Sequence, residues 1–342
     1  MSKKAVASVA NRSKIVTKST FNNYDACINP YVGCEFGCSY CYVRFFVKDP
    51  VLPWGEFVRV RAHIEDSLPK ELSKGFFKFQ DGRQSKLDES GNQCLDDKNV
   101  PISVPKHKII KIQDTRLVLG TMTDPYQPKE NKFKLTRKVL EILLRPGTTQ
   151  FQKVGIFTRS PLVLRDLDLI KQLPKARVHF TITPLPHDIM RVIEPFSSLV
   201  QRRWDTIRKL KEAGIRVHVN VSPVIPMMSE PLIDEWVQNL VDIGCDEYFV
   251  DPMQPYADSF EAFKQACATI PSLDWNKIQS IMTNKNAYLD WKFDFFQQWN
   301  NKRKQIQHLA PDQLPIWSDH ENKIWVDMRT GQQMDRRSYG SN

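Results

Sequence analysis

The sequence predicts an α/β protein built on a parallel sheet, and two observations carry that reading. Short β-rich runs alternate along the chain with segments of helical periodicity. Glycines stand where two of those helical segments should stop, at Gly214 and Gly244. Such alternation lays helices over a parallel sheet and gathers active residues at the carboxyl ends of its strands. With 342 residues and 41% hydrophobic content, the chain can build one large α/β domain with additions.

The predicted strands run from a first one near Ile28 to Gly33, through Arg116 to Gly120, Val154 to Thr158, Arg177 to Thr183 and Ile215 to Ser222, to Glu247 to Asp251. The helices between them are Lys132 to Leu144, Leu162 to Gln172, Ser198 to Ala213 and Pro231 to Ile243. Between Asp49 and Gln113 the alternation is interrupted by an insertion, in which Phe57 to Arg61 and Ile102 to Ile112 read as strands. Gln80 to Asn99 is polar and charged, the composition of a surface loop or of a lid carrying Cys94 over the open side of the fold. The chain thus divides into an N-terminal extension (1–27), a core (28–270, with the insertion 49–113) and a C-terminal extension (271–342). In that last part Trp291, Phe293, Phe295, Phe296 and Trp299 recur at near-helical spacing, followed by Trp317 and Trp325. Core packing is the first expectation for these aromatics and a docking surface the second, with Lys302 to Lys304 and Arg336 to Arg337 suited to an acidic partner.

Chemistry concentrates at Cys34, Cys38 and Cys41, spaced C-x3-C-x2-C. A structural zinc site would need a fourth ligand, and neither a second Cys pair nor a nearby His supplies one. Disulfides fit poorly with an odd total of seven cysteines and no preceding secretory signal. Three thiolates suit a 4Fe-4S cluster in which one iron is left open to bind a small molecule. Cys27, Cys94, Cys245 and Cys267 are isolated and read as buried or inert. The formal net charge of +10 invites nucleic acid or an acidic peptide without choosing between them. No apolar run approaches the length of a membrane span.

The triplet, with Tyr40 before its last cysteine, resembles the signature of radical S-adenosylmethionine (SAM) enzymes. The run Asn29-Pro30-Tyr31, the pair Cys41-Tyr42, Gly120 to Pro128, Thr158-Arg159-Ser160 and Leu164 to Asp168 resemble the spore photoproduct lyase-like branch of that superfamily, covering about Asn29 to Asp251. The resemblance implies a partial (β/α)6 barrel of TIM type, with an inserted β region and an aromatic-rich C-terminal extension. It also implies that the open iron holds SAM, whose reductive cleavage gives a 5'-deoxyadenosyl radical. The cofactors would then be the cluster and SAM, with a reductase or flavodoxin as electron donor and the cytoplasm as the compartment.

Carried onto this chain, the resemblance places Tyr40 against the adenine and Gly120 to Asp124 near the methionyl part of SAM, with Thr123 on its amine. Arg159-Ser160 occupies a Lys-Ser position, where a guanidinium can still bind the carboxylate in bidentate fashion. Thr181, Thr183 and Asn220 are candidates for the ribose, whereas His218 reads as an interior histidine. Photoproduct lyases proper carry a hydrogen-donating cysteine where this chain has Thr121, while both relay tyrosines persist as Tyr40 and Tyr42. An alcohol O–H is too strong to replace the thiol. That departure points away from DNA photoproduct repair and toward a ribosomally made precursor peptide, as in the splicease enzymes that excise a tyramine unit, with a small companion protein as a further partner.

Overall fold

A computed structural model describes residues 5–10, 14–21, 23–87, 93–94, 100–244, 247–254, 257–268, 270–271 and 273–305, with further strand segments at 316–319, 324–327 and 332–334. The chain opens with β1 (Val6–Val9), β2 (Val16–Lys18), β3 (Ala26–Ile28), β4 (Tyr31–Val32), α1 (Val43–Phe46), β5 (Phe57–Val60) and α2 (Ile64–Leu72). There follow β6 (Phe76–Ser85), β7 (Ser103–Lys111), β8 (Arg116–Leu119), α3 (Glu130–Phe133), α4 (Leu135–Leu143), β9 (Lys153–Thr158), α5 (Leu167–Ile170) and β10 (Arg177–Ile182). Next come α6 (His187–Ile193), α7 (Val200–Glu212), β11 (Arg216–Val224), α8 (Ile233–Asp242), β12 (Glu247–Pro252), α9 (Ala257–Cys267), α10 (Trp275–Thr283) and α11 (Lys285–Gln305). Strands β13 (Ile316–Asp319), β14 (Ile324–Asp327) and β15 (Gln332–Met334) form a separate antiparallel sheet.

The main sheet has seven strands in the order β12-β11-β10-β9-β8-β3-β2. From β3 to β12 its members are parallel and follow one another in chain order; β2 alone joins antiparallel, at the edge beside β3. Parallel strands covered on both faces should be apolar throughout. Accordingly Leu117, Val118 and Leu119 of β8, Val178, Phe180 and Ile182 of β10, and Val217, Val219 and Val221 of β11 are all fully buried. Helices α7 and α8 meet through Trp204 and Trp236, whose rings lie 5.2 Å apart. Both helices end at the expected glycines, Gly214 and Gly244, each at positive φ.

Several elements differ from expectation for identifiable reasons. The first sheet strand is Ala26–Ile28 and stops before Asn29-Pro30, because proline donates no hydrogen bond to a ladder. Tyr31–Val32 pairs instead with β5, in a small sheet ordered β1-β5-β4. The boundary expected at 27/28 therefore falls within a strand. The helix expected over Lys132 to Leu144 is broken at Lys134, which adopts φ 51°. There the buried Glu130 carboxylate accepts from Thr136 N at 3.0 Å and so caps α4. Leu162 to Gln172 is a 3-10 turn followed by one short helix, since Pro161 and the Ser160 hydroxyl cap the turn. The polar stretch from Gln80 does not begin a loop, because strand β6 runs on to Ser85 and pairs with β7. A ribbon with both faces near solvent needs its backbone ladder and little apolar surface. Residues 88–92 and 95–99 lie outside the described residues, as do Cys245, Arg336 and Arg337 and the side chains of Arg303, Lys304, Trp317 and Trp325.

The aromatic tail segment is α11, which packs on α8 and α10. Tyr288, Trp291, Phe295, Phe296 and Trp299 are buried, with Phe293 exposed on the opposite side. Polar ends are satisfied as burial requires: Trp291 donates to Glu230 at 2.6 Å, and Tyr288 to the Met253 carbonyl at 2.9 Å. These aromatics are core. No described helix is long and apolar enough to cross a membrane.

Candidate active site

A cavity of about 300 Å³ opens at the carboxyl ends of the parallel strands, where ligands bind in open α/β sheets. Cys34, Cys38, Tyr40, Cys41 and Tyr42 reach it from the loop after β4, and Gly120, Thr121, Thr123 and Asp124 from the loop after β8. Arg159 enters from β9, Thr181 from β10 and Asn220 from β11. Ser160 and Thr183 do not line it. Topology thus brings together twelve of the fourteen residues singled out in the sequence.

Cys34 and Cys38 are buried and Cys41 partly so. Burial pushes the Cys38 thiol up to about 11, partly offset by Arg159, and also raises Cys34 and Cys41. Burial favours the neutral thiols in spite of the nearby Arg159; a bound cluster would reverse that preference and take them as thiolates. Among the described residues, no group of three His, Cys, Asp or Glu side chains converges on one metal ion. A cluster makes a different demand, because each of its thiolates binds a separate iron. Three thiols brought to one cavity by a single loop are the donor set such a cluster takes.

The loops around the thiols are tied together by protein groups alone. Thr123 donates to the Gly33 carbonyl at 2.6 Å and accepts from Gln127 at 2.9 Å, while Glu35 N donates to Gln127 Oε1 at 2.8 Å. The hydroxyl expected on the methionyl amine thus also holds the cysteine loop, with one lone pair left over. Asn29 pins the next turn, donating to Thr121 Oγ1 at 3.2 Å and accepting from Met122 N at 2.9 Å. Tyr42 donates to the Thr121 carbonyl at 3.1 Å. Gly120 sits at φ 87°, and a Cβ there would lie 2.4 Å from Pro125 Cδ and 2.8 Å from the Phe157 carbonyl oxygen. Gly120→Ala is expected to lower stability by on the order of 2 kcal/mol or more, measured by denaturant unfolding of the apo-protein.

Asp124 is a structural tie between two strand ends. Its carboxylate accepts from Tyr126 N at 2.8 Å, Thr158 Oγ1 at 2.7 Å and Arg159 N at 2.8 Å. Ser160 caps the following turn through Leu162 N, and this explains its absence from the cavity.

Behind the cavity lies a charged network that the sequence did not reveal. Glu194, immediately after α6, is buried between Arg159, 2.7 Å from its Oε1, and Arg203, which binds its Oε2. Burial alone would raise this carboxyl, but the two guanidinium groups overcome it and hold Glu194 well below the usual carboxylate range. Thr183 donates to the same Oε1 at 2.6 Å, and the Tyr40 hydroxyl also donates to it. Arg159 Nη1 further reaches Tyr40 Oη at 2.6 Å and Cys38 Sγ at 3.4 Å. Thr183 and Tyr40 thus belong to the support of Arg159. Of the two threonines only Thr181 faces the cavity, in register with Asn220. His218 lies 3.4 Å from the Glu247 carboxylate in the interior. Asn29 and Gln127 stand within the motifs already noted, but nothing in the local sequence marks Glu194 or Arg203, which come together only through the fold.

No family model matches the chain. An uncharacterized protein of Methanocaldococcus jannaschii is 27% identical over 268 residues, 76% of this chain and 80% of its own length. An uncharacterized protein of Acidianus two-tailed virus is 27% identical over 267 residues, 74% of this chain and 72% of its own length. Among solved structures, spore photoproduct lyase complexed with dinucleoside spore photoproduct matches with a TM-score of 0.56, covering 89% of this chain and 80% of that chain at 14% identity. The fold is of that type.

Proposed function

We propose that this chain is a radical SAM enzyme, acting in the cytoplasm, whose six parallel strands form a partial (β/α)6 barrel. The observation that carries this reading is the convergence of Cys34, Cys38, Cys41, Tyr40 and Arg159 on one cavity at the strand ends. A 4Fe-4S cluster held by the three cysteines would supply the open iron and the electron for cleaving SAM to methionine and a 5'-deoxyadenosyl radical. The chain's own residues bind, orient and exclude water. Arg159, braced by Glu194, presents a fixed positive charge beside Cys38, suited to a carboxylate. Thr181 and Asn220 offer a hydroxyl and an amide to a ribose.

For the substrate we favour a ribosomally made precursor peptide, processed by splicease-like backbone cleavage with release of a tyramine unit. Support comes from the thiols: among the described residues, the cysteines lining the cavity are the three expected to hold the cluster. Cys94 pairs by backbone with Lys86 and Ile102 in the β6–β7 region and is not part of the lining. Thr121 is held by Asn29. A reaction that ends without return of hydrogen from a cavity thiol suits this arrangement. A flavodoxin or reductase would deliver the electron, and a small companion protein would present the peptide.

The second reading, a lyase acting on pyrimidine photoproducts in DNA, is favoured by the β6–β7 ribbon, which exposes Lys78, Arg83, Lys106, His107, Lys108 and Lys111. Anaerobic incubation of the cluster-loaded protein with SAM and either a tyrosine-containing precursor peptide or irradiated DNA separates the two by mass spectrometry. Loss of the tyramine mass from peptide supports the first, and restored thymine dinucleotides support the second. If DNA is the substrate, its affinity should fall steeply between about 50 and 200 mM salt, and Lys106→Gln with Lys108→Gln should reduce the slope.

A further inference from the structure

Two acidic residues line the cavity, and the fold uses them differently. Asp124 is saturated by its three hydrogen bonds. Asp251, near the end of β12, accepts no hydrogen bond from any described residue, and Lys292 of α11 is the one charged group among the described residues that acts on it. Strand alternation places Asp251 on the same face as Phe249, and both line the cavity. Trp54, Phe36 and Met253 line the same cavity. This is a largely apolar chamber with one partly buried carboxyl that no described residue hydrogen-bonds.

Such a carboxyl costs free energy when it ionises without a partner, and a ligand bearing positive charge would remove that cost. Burial pushes Asp251 up to about 7, with Lys292 opposing the shift, so its charge is sensitive to what enters the chamber. An uncharged isostere would gain the same apolar contacts and leave the carboxylate unpaired, which is the condition for strong discrimination. Arg159 follows β9, and β10 and β11 stand between that strand and β12, which carries Asp251.

We propose that Asp251 is the specificity-determining group of this cavity, accepting the ammonium or comparable charged nitrogen of an organic cation whose apolar part packs against Phe36, Trp54 and Phe249. This rests on the radical SAM reading and deepens it by naming the class of group that the substrate presents.

The test uses the full chain, loaded with cluster and SAM, titrated anaerobically by calorimetry with 2-phenylethylamine and with uncharged 2-phenylethanol. At pH 8 the amine should bind at least about tenfold more tightly than the alcohol. Asp251→Asn should abolish that preference while keeping SAM affinity. In the wild type the preference should fade as pH drops through about 7 and the carboxyl takes up its proton. An amine preference that is absent, or that survives Asp251→Asn, overturns the proposal; so does an equal loss of SAM affinity, which would assign the carboxylate to SAM. Because a carboxyl whose pKa is raised on folding weakens the fold progressively between its unfolded pKa and about 7, Asp251→Asn should melt no lower than wild type at pH 8. Lys292→Met gives an independent measure: removing the opposing charge should move the pH midpoint of amine binding upward, and an unmoved midpoint also counts against the proposal. Failure of the wild type to form 5'-deoxyadenosine would break the enzyme reading, whereas the amine titration reads the carboxyl alone.

Discussion

Glu194→Gln is expected to lower the melting temperature on the order of 10 °C and to weaken SAM binding sharply. In the folded protein Glu194 lies between two cations, with Arg203 fully buried beside it and Arg159 at the cavity wall. Removing the anion leaves two positive charges facing one another out of water, a change worth roughly 3–5 kcal/mol. Since the native carboxyl is held below its ordinary range, the stability it contributes is present above its unfolded pKa and is lost as pH falls below it. Wild type should therefore show a slope of stability with pH in the acid range that the Gln variant lacks. Arg159 should also lose its fixed direction, so SAM affinity falls even where the variant is folded. A variant with wild-type melting and wild-type SAM affinity would show that the network is incidental.

Cys34→Ala, Cys38→Ala and Cys41→Ala should each abolish 5'-deoxyadenosine formation and the visible absorbance of the reconstituted protein. With two thiolates the cluster is under-held, and its open iron is lost with it. The same variants should unfold in denaturant near the wild-type apo-protein, because an alanine in place of a buried, neutral thiol removes only a small volume. Persistent SAM cleavage in all three would sink the cluster assignment.

Much of the fold was legible because the parallel strands announce themselves either as apolar runs, as in Leu117 to Leu119, or as β-branched residues at every second position, as in Val217, Val219 and Val221. The cysteine triplet was legible for a related reason: its ligands sit close together in sequence. What escaped was whatever depends on distant pairing. Glu194 looks like any acidic residue at a helix end until α6 and α7 set it between Arg159 and Arg203. The strand from Gln80 to Ser85 escaped because a solvated ladder leaves little hydrophobic trace. Thr123 was legible as a site residue, yet its bond to Gly33 shows it holding the loop, a distinction that only geometry draws.

The latch formed by Thr123, Gln127, Gly33 and Glu35 bears on how a cluster held by the neighbouring thiols would be installed. In small metal-dependent domains the ligands are scattered until the ion gathers them, so folding and metallation are a single event. Here the thiol-bearing loop is already fastened to its neighbour by hydrogen bonds that owe nothing to iron. On the radical SAM reading, assembly would separate into two stages, in which the polypeptide first reaches its native architecture and afterwards receives its cluster as cargo. Iron starvation should accordingly leave a reservoir of intact, fillable protein, and one bound for degradation would not be expected.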